Sequence, residues 1–481
     1  MTRSIKKNFI YNLMFQIVTL CLPLITVPYT SRVLGKEGIG VYSYTLSISQ
    51  YFIILGTLGM SLYGNRAIAY VRDNKKELSK NFWAIFVLRF STTMIALIIY
   101  ICLFSINSKN RNIYLIQSLN IFAAVIDISW LFMGLEDFKK TVTRGLVVKI
   151  LCVASIFIFV KDFNDLLIYT LINALMLVLG NGFMWVYLPK VISLEKINFN
   201  DIKQHLMPTI QMFIPQIAIQ VYAVLDKTML GILATTGDVG IYEQSQKMVK
   251  IVGGLVTSLG VVMLPRMSNT FANGDSKKMN EYLNKSLNFV SYMSIPMFIG
   301  LAAISIEFVP WFFGDEFLQV RYIMMLLTPI LFFIAINNVL GVQYLLPSNR
   351  TKEYTVAVSL GAITNVIFNF ILIPKYTVVG ACISTLLAEL IVPIVEVIIL
   401  RKSINKKYIL VNIAKYFFAG MIMFIVVRII GIKMGVGVLT TIIQSLIGVV
   451  SYLLILSIFK DGTTMELINS VMNGINKKIE R

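Results

Sequence analysis

Charged residues and histidine are scarce in this sequence. Of its 481 residues, 57% are hydrophobic and only 14% are charged, and the single histidine is His205. Soluble proteins carry roughly a quarter charged residues, so this chain could not cover its apolar surface in water. One histidine also excludes a histidine metal cluster, and no metal site is expected. The composition therefore predicts a membrane protein.

Sequence motifs for enzyme chemistry are missing as well. There is no Walker lysine loop, no dinucleotide glycine fingerprint and no CxxC pair. The four cysteines lie in apolar runs and are interpreted as small hydrophobic residues, not as a disulfide framework. The longest polar stretches are about 15–20 residues, which is too short for a catalytic domain. We therefore expect neither an enzyme nor a bound cofactor.

Long apolar runs, in contrast, recur along the whole chain. A helix needs about 20 apolar residues to span the hydrocarbon, and isolated strands cannot span lipid with an unpaired backbone. The predicted fold class is therefore an all-α polytopic membrane protein with about 14 transmembrane helices. The predicted spans are 9–33, 40–66, 81–105, 112–134, 142–161, 163–188, 206–233, 239–265, 283–309, 319–346, 354–375, 378–400, 409–431 and 436–459.

The basic residues are unevenly distributed between the loops. The chain has 43 Lys and Arg against 24 Asp and Glu. With the N-terminus inside, about 28 of these cations lie in inside segments and about 8 in outside turns. The basic excess is therefore interpreted as a positive-inside bias and not as nucleic-acid binding. Both termini are predicted to be cytoplasmic.

A weak internal repeat relates the two parts of the chain. The sequence GIGVY at 38–42 resembles DVGIY at 238–242, and each follows a helix interrupted by prolines. Because six spans per repeat is an even number, we expect two lobes related by an axis along the membrane normal. The predicted organisation is 1–188 for the N-lobe with helices 1–6, 189–204 for a cytoplasmic linker, 205–402 for the C-lobe with helices 7–12, and 403–481 for the appended helices 13–14 and a cytoplasmic tail.

The eighth span carries charges that are costly inside a membrane. Glu243, Lys247 and Lys250 share one helical face at i, i+4 and i+7 spacing. Lys250 is predicted about 16 Å deep, where an ammonium group facing lipid is unfavourable. We expect this face to line a polar cavity between the lobes, opposite the matching position of the first lobe near Tyr42. The alternative, in which Glu243 and Lys247 form a structural pair and Lys250 meets another carboxylate, stays open.

Further polar groups inside predicted spans are candidates for the same cavity. Arg32, Arg89 and Lys149 could instead extend to the membrane interface. Asp127 could pair with a buried partner or bind a proton or cation. Lys415 and Arg428 are expected to extend to the interface, and Glu389 and Glu396 are expected to have structural partners. The predicted substrate-binding residues are Lys227, Lys247, Lys250, Arg32, Arg89, Lys149, Gln216 and Gln220, and the ion-coupling candidates are Asp127, Asp226 and Glu243.

Three stretches resemble the Wzx-type polysaccharide-repeat-unit flippases. They are NFIYNLMFQIVTLCLPLITVPYTSRVLGKEGIGVYSY (8–44), GDVGIYEQSQKMVKIV…VVMLPRMSNTFANGD (237–275) and YLLPSNRTKEY…NVIFNFILIPKYTVVGACISTLLAE (344–389). The similarity extends over essentially the whole chain and agrees with fourteen spans. It implies the multidrug/oligosaccharidyl-lipid/polysaccharide exporter (MOP) superfamily.

The resemblance also implies a function in the bacterial cytoplasmic membrane. The expected flippase translocates undecaprenyl-pyrophosphate-linked oligosaccharide repeat units from the inner to the outer leaflet by alternating access. It would serve capsule, exopolysaccharide or O-antigen assembly, with the polymerase and glycosyltransferases of that pathway as partners. Because the sequence shows no ATP site, an H⁺ or Na⁺ gradient is the expected energy source.

Two other functions stay open at this point. A lipid II flippase of the peptidoglycan branch has the same architecture. An ion-coupled multidrug antiporter belongs to the same superfamily, but these proteins usually have twelve spans and bind cations with carboxylates. A membrane polymerase or O-acyltransferase is disfavoured, because the chain lacks a large external loop and a histidine inside a predicted span.

Overall fold

The computed structural model describes residues 2–104 and 110–469 of the chain. Two compact units divide the chain, Met1–Gly240 and Ile241–Arg481. This division places the seventh predicted span in the first unit, although the repeat predicts it in the C-terminal lobe. The lobe boundaries at 188 and 205 therefore stay a prediction.

Helices account for the regular structure of the first unit. A ninth helix, α9, begins in this unit and continues into the second. The helices are α1 Thr2–Thr57, α2 Met60–Val71, α3 Lys75–Phe104, α4 Arg111–Val125, α5 Ser129–Gly134, α6 Phe138–Phe159, α7 Leu166–Met184, α8 Phe199–Leu233 and α9 Thr236–Ala272. Short 3₁₀ segments at Phe163–Asp165 and Trp185–Lys190 flank α7.

The second unit contains the remaining helices and one π-helical segment, Asn338–Leu345. A 3₁₀ turn, Asp315–Phe317, connects two of its helices. The helices are α10 Ser276–Phe313, α11 Val320–Leu327, α12 Ile330–Asn337, α13 Thr351–Ile399, α14 Lys406–Met434 and α15 Val438–Ile458.

Capping side chains set several helix starts. Asn198 precedes α8, and the Asn198 backbone N–H donates to Asp201 Oδ2 at 2.9 Å in a capping box. Asp275 caps α10 by accepting from the Lys278 backbone N–H at 3.0 Å. The predicted polar linker 189–204 therefore ends inside a capped helix.

Ten segments of the described residues are long and apolar enough to cross a membrane. Two of them contain a non-helical residue, Gly35 in α1 and Thr377 in α13, and each covers two of the predicted spans. A methyl group on Gly380 would lie 2.3 Å from the Leu372 carbonyl oxygen, and this short distance shows that the chain reverses near Thr377. Eight residues of straight helix would separate these positions by about 12 Å.

The polytopic all-helical class is thus confirmed, whereas the number of fourteen spans and the side of the termini stay predictions. Neither α8 nor α9, which correspond to predicted spans 7 and 8, is among the ten segments. Two other predicted spans are not single α-helices. The fourth, 112–134, is interrupted between Val125 and Ser129, and the tenth, 319–346, consists of α11, α12 and the π-helical segment.

Each unit has its own apolar core. In the first unit, Trp130 is fully buried and stacks on Phe82 with ring centroids 5.4 Å apart. In the second unit, Tyr292, Tyr416 and Tyr452 join α10, α14 and α15, and the Tyr452 hydroxyl donates to the Tyr292 carbonyl at 3.0 Å. The appended helices are therefore an integral part of the second unit.

Candidate functional site

The charged face of α9 brings three predicted site residues together. Glu243, Lys247 and Lys250 lie on continuous helix. Lys247 Nζ is 3.6 Å from Glu243 Oε1, and these side chains are 33% and 14% exposed. This separation makes an ion pair but not a hydrogen bond. The pairing of Glu243 with Lys247, which the sequence left open as the alternative to cavity lining, is therefore observed, and Lys247 is partly exposed.

Lys250 lies at one end of a chain of polar groups. Its ammonium donates to Gln246 Oε1 at 2.9 Å, and Gln246 Nε2 donates to the Tyr242 hydroxyl at 3.2 Å. The Tyr242 and Thr385 hydroxyls are 2.9 Å apart, which connects α9 to α13. Lys250 is itself exposed and lies about 21 Å along α9 from its first residue. The chain of bonds orients this ammonium while leaving it accessible.

The predicted residues of α8 lie in the first unit. Asp226 is buried with 3% of its surface exposed, Lys227 is half-buried and Gln220 is exposed. The side chain of Gln216 lies outside the described residues. The shared face predicted for these positions is therefore observed only in part.

Arg89 and Asp127 form a buried ion pair in the first unit. Arg89 is 2% exposed, and its Nη2 donates to Asp127 Oδ2 at 3.1 Å. The same guanidinium donates to the Ala124 carbonyl and to Ser61 Oγ, both at 3.0 Å. Of the two roles predicted for Asp127, the structure shows the buried partner. Arg89 does not reach the interface, because all of its contacts are inside the unit.

The break between α4 and α5 explains why this pair is there. Interrupting a helix frees backbone carbonyls, and in lipid these must find other donors. Asn181 Nδ2 donates to the Ala123 carbonyl and Trp185 Nε1 to the Ile126 carbonyl, each at 2.8 Å. Arg144 in turn donates to Asn181 Oδ1 at 2.7 Å. Side chains from α6 and α7, together with Arg89 of α3, therefore stabilise the broken helix.

Arg32 and Lys149 lie elsewhere in the first unit. Arg32 is exposed and its Nη1 donates to the Pro28 carbonyl at 3.4 Å. Lys149 Nζ donates to Thr19 Oγ1 at 2.7 Å, which joins α6 to α1. The structure therefore does not gather all predicted cations at one place.

Gly40 and Gly240, the glycines of the two repeat motifs, lie in close backbone contact. A methyl group on Gly40 would lie 1.7 Å from the Thr236 carbonyl oxygen and 3.1 Å from the Gly240 nitrogen. Nearby, Thr236 Oγ1 donates to Glu37 Oε2 at 2.6 Å. Glycine at both positions lets the backbones touch. The polar cavity between the lobes stays a prediction.

His205 is enclosed by the first unit. It belongs to α8, is 4% exposed, and its Nδ1 lies 2.7 Å from the Tyr63 hydroxyl. Burial lowers the pKa of His205 below its ordinary value, and the charge of Asp201 opposes this effect. A hydrogen bond from Lys80, with Nζ 2.8 Å from Oδ1, lowers the pKa of Asp201.

The appended helices carry ion pairs that the sequence analysis missed. Arg428 Nη1 lies 2.6 Å from Glu307 Oε2, and Gln444 Nε2 donates to the same oxygen at 3.1 Å. Lys415 pairs with Asp461. Each cation therefore has an acid partner far away in sequence, and the extension of Lys415 and Arg428 to the interface stays a prediction.

An apolar cavity of about 460 Å³ is lined in part by α9, beyond its charged residues in the sequence. Val252 and Leu255 of α9 line it together with helices α10, α14 and α15. Gly300 and Gly448 widen it, because neither glycine carries a side chain. In the part of the chain that the structure describes, no group of three or more His, Cys, Asp or Glu could hold a metal ion. The site thus offers cations and an apolar groove.

The fold defines the class first. The chain is similar to the solved structure of the lipid II flippase MurJ in its inward closed conformation, with a TM-score of 0.75 and 20% identity over 94% of this chain and 98% of that chain. It is also similar to an inward-facing multidrug resistance MATE transporter of the MOP superfamily, with a TM-score of 0.59 and 11% identity over 79% of this chain and 94% of that chain. The chain therefore has the fold of these two solved structures.

Sequence similarity then gives the family. Residues 5–271, more than half of the chain, match the family described as "Polysaccharide biosynthesis protein". A candidate O-antigen transporter of Escherichia coli (strain K12) is 25% identical over 423 residues, which cover 83% of this chain and 97% of that protein. The chain therefore belongs to the polysaccharide biosynthesis protein family, and the resemblance to Wzx-type flippases is confirmed. It is a multi-pass protein of the bacterial cytoplasmic membrane.

Proposed function

We propose that the protein is a flippase for undecaprenyl-pyrophosphate-linked oligosaccharide repeat units. It moves them from the inner to the outer leaflet for capsule, exopolysaccharide or O-antigen assembly. The cycle is alternating access, with fourteen crossings and both termini in the cytoplasm. The names of similar proteins support the assignment as a flippase, since one is a candidate O-antigen transporter and another is the lipid II flippase MurJ.

A single observation about α9 carries the proposal. One helix presents the accessible ammonium groups of Lys247 and Lys250, and a few residues later it forms the wall of the apolar groove at Val252 and Leu255. A ligand with an anionic head and a long apolar tail would find both of its parts matched along this helix. A small hydrophilic solute would leave the groove unused.

The physical chemistry of the cargo fits these two features. A diphosphate and its sugars cannot enter hydrocarbon without compensation, because an uncompensated charge there is very costly. Ammonium groups supply charge-assisted hydrogen bonds to phosphate oxygens. The apolar polyprenyl tail is favourably solvated by lipid, and an apolar groove provides it with a similar environment.

The energy source is part of the proposal. We take it to be an H⁺ or Na⁺ gradient, since the sequence shows no ATP site. Of the three acids predicted to couple the ion, Asp127 is bonded to Arg89 and to the Ser129 backbone N–H at 2.9 Å. Asp127, Asp226 and Glu243 all stay candidates for the coupling ion, and Glu243 is paired with Lys247. The polymerase and glycosyltransferases of the same pathway are the proposed partners.

Lys250→Gln tests the function in the cell. It removes the charge but keeps a polar side chain, and we expect loss of surface glycan with a normal membrane level of protein. Mass analysis should show the lipid-linked sugar accumulating on the cytoplasmic leaflet. The matched control is Lys402→Gln, an exposed lysine after α13, which should leave export intact. Unimpaired glycan export by Lys250→Gln would refute the role of this cation.

A strain in which the gene is deleted separates the two alternative functions from the proposed one. A deletion strain that stops growing and accumulates lipid II inside would point to the peptidoglycan branch. A strain that becomes drug-sensitive while its surface glycan stays normal would point to an antiporter. Accumulation of an oligosaccharide-linked lipid in viable cells supports the proposal.

A further inference from the structure

Glu396 of α13 is an acid buried without a polar partner. Its exposed fraction is 0%, and within the described residues neither carboxylate oxygen has a hydrogen-bond partner. Glu307 in the same unit is also buried, but it is bonded to Arg428 and Gln444. The structural partner that the sequence predicts for Glu396 is therefore not observed.

The carboxyl group is held against the π-helical segment Asn338–Leu345. A methyl group on Gly341 would lie 2.5 Å from both Glu396 Oε1 and the Tyr354 ring, so only glycine admits this contact. Tyr344 and Leu345 of the segment belong to the apolar cluster of the second unit, against which Tyr354 and Val397 pack. The carboxyl group is thus enclosed by apolar side chains, an aromatic ring and the segment itself.

Few titratable groups face this position. Tyr354, on the first half of α13, lies against the same glycine as Glu396, and Glu389 lies two helical turns before Glu396. The charges at the ends of α13 are directed elsewhere: Arg350 and Glu353 pair with each other at 3.0 Å, and Arg401 and Lys402 are exposed. No ion pair to Glu396 is formed by the residues that the structure describes.

The same π-helical segment also lines a polar cavity of about 540 Å³. Gln343 lines it and is 1% exposed, and among the described atoms its Oε1 has no hydrogen-bond partner. Arg266, Lys285 and Glu466 line the cavity as well, on the side predicted to be cytoplasmic. The segment therefore contacts the buried carboxyl at Gly341 and a hydrophilic space at Gln343.

These contacts restrict the state of the carboxyl group. An ionised carboxylate in this enclosure would be an unpaired charge in an apolar interior, which costs many kcal/mol, whereas the neutral acid is tolerated. π-helical turns inside helices are rare and occur frequently at functional sites. A shift of this segment would bring water from the cavity to Glu396.

We propose that Glu396 is a proton-binding site of this protein, loaded and unloaded through the π-helical segment from the adjacent polar cavity. In the step, hydronium in the cavity gives one proton to the carboxylate, which becomes a carboxylic acid and leaves water behind. The loaded acid is buried against Gly341, and the unloaded carboxylate keeps the segment open to water. Use of this proton in transport rests on the proposed function, but its binding does not.

Infrared difference spectroscopy of the purified full chain in detergent tests proton binding. The wild-type protein should show the C=O stretching band of a buried protonated carboxyl, with slow exchange in heavy water. Glu396→Gln should lose this band. Glu389→Gln, on the same helix, should keep it. A Glu396→Gln spectrum that equals the wild-type spectrum overturns the proposal.

A second variant protects the test against misfolding of the first. Gly341→Ala keeps the acid but places a methyl group in contact with it, so the same band should shift in frequency and exchange faster. An unshifted band would contradict the enclosure of Glu396 by the segment.

The transport arm uses surface glycan in the deletion strain. Wild-type export should fall when the pH gradient is dissipated, and Glu396→Gln should lose this dependence while its membrane level stays normal. Dependence equal to wild type would overturn the coupling. If the wild-type protein restores no glycan, the proposed function fails while the infrared result still decides proton binding.

Discussion

Arg89 and Lys250 are both cations within predicted spans, and both are predicted to bind cargo, yet the structure treats them in opposite ways. Arg89 is 2% exposed and donates to Ala124, Ser61 and Asp127. Lys250 is exposed and is oriented by Gln246. Arg89 is a buried cation whose hydrogen bonds hold the fold together, whereas Lys250 is an exposed cation. Burial and hydrogen bonding therefore distinguish two cations that their predicted positions within the spans do not distinguish.

The difference continues in the glycines of the two units. In the first unit, Gly40 brings two backbones into contact, so its missing side chain is a condition of packing. In the second unit, Gly300 lines the apolar groove, and the nearest atom to a methyl group there would be Met423 Cε at 3.6 Å. Here the missing side chain leaves room. Gly40 and Gly300 therefore lack a side chain for opposite reasons.

Arg89→Ala should have the largest effect on stability. It leaves Asp127 without its cation and the Ala124 carbonyl without its donor. Breaking a buried pair in this way costs about 3–5 kcal/mol. Thermal unfolding in detergent should show a strongly lowered midpoint, and little protein should reach the membrane.

Two further variants sharpen this test. Ser61→Ala removes one hydrogen bond from the same guanidinium and should cost only about 1 kcal/mol. Arg89→Ala combined with Asp127→Ala should recover part of the loss, since no charge is then left unpaired. A single Arg89→Ala variant with wild-type stability would show that this cation is not structural.

Gly40→Ala should have the next largest effect. The added methyl group would lie 1.7 Å from the Thr236 carbonyl, so the backbones must separate. Overpacking of this kind typically costs about 1–3 kcal/mol. Gly300→Ala is the matched control and should be as stable as wild type in the same unfolding measurement. Equal behaviour of the two variants would mean that the contact at Gly40 is not tight.

Particular residues show how far the sequence could predict these results. The helical class followed from apolar runs, and the pairing of Glu243 with Lys247 followed from their i, i+4 spacing. The relay from Lys250 to Gln246 and Tyr242 repeats that spacing and could have been found. Thr385 could not, because it comes from a distant helix.

The buried acids show the limit most clearly. Glu307 and Glu396 both lie in strongly apolar helices, and local sequence does not separate them. Glu307 is bonded to Arg428, which is 121 residues away, whereas Glu396 meets no such partner among the described residues. The state of an acid inside the membrane depends on which distant helix packs against it, and no periodicity in one sequence contains that information.

Gly300→Leu should have the smallest effect on stability and still stop transport. The groove has space for the side chain, and replacing glycine in a helix gains about 1 kcal/mol of helix propensity. The leucine would occupy the place proposed for the polyprenyl tail, so surface glycan should be lost while the unfolding midpoint is not lowered. Gly182→Leu in α7 is the matched control, because a methyl group there would meet nothing within 4 Å. If Gly300→Leu exports glycan normally, the tail does not use this groove, and the open face of α9 binds its ligand through the cations alone.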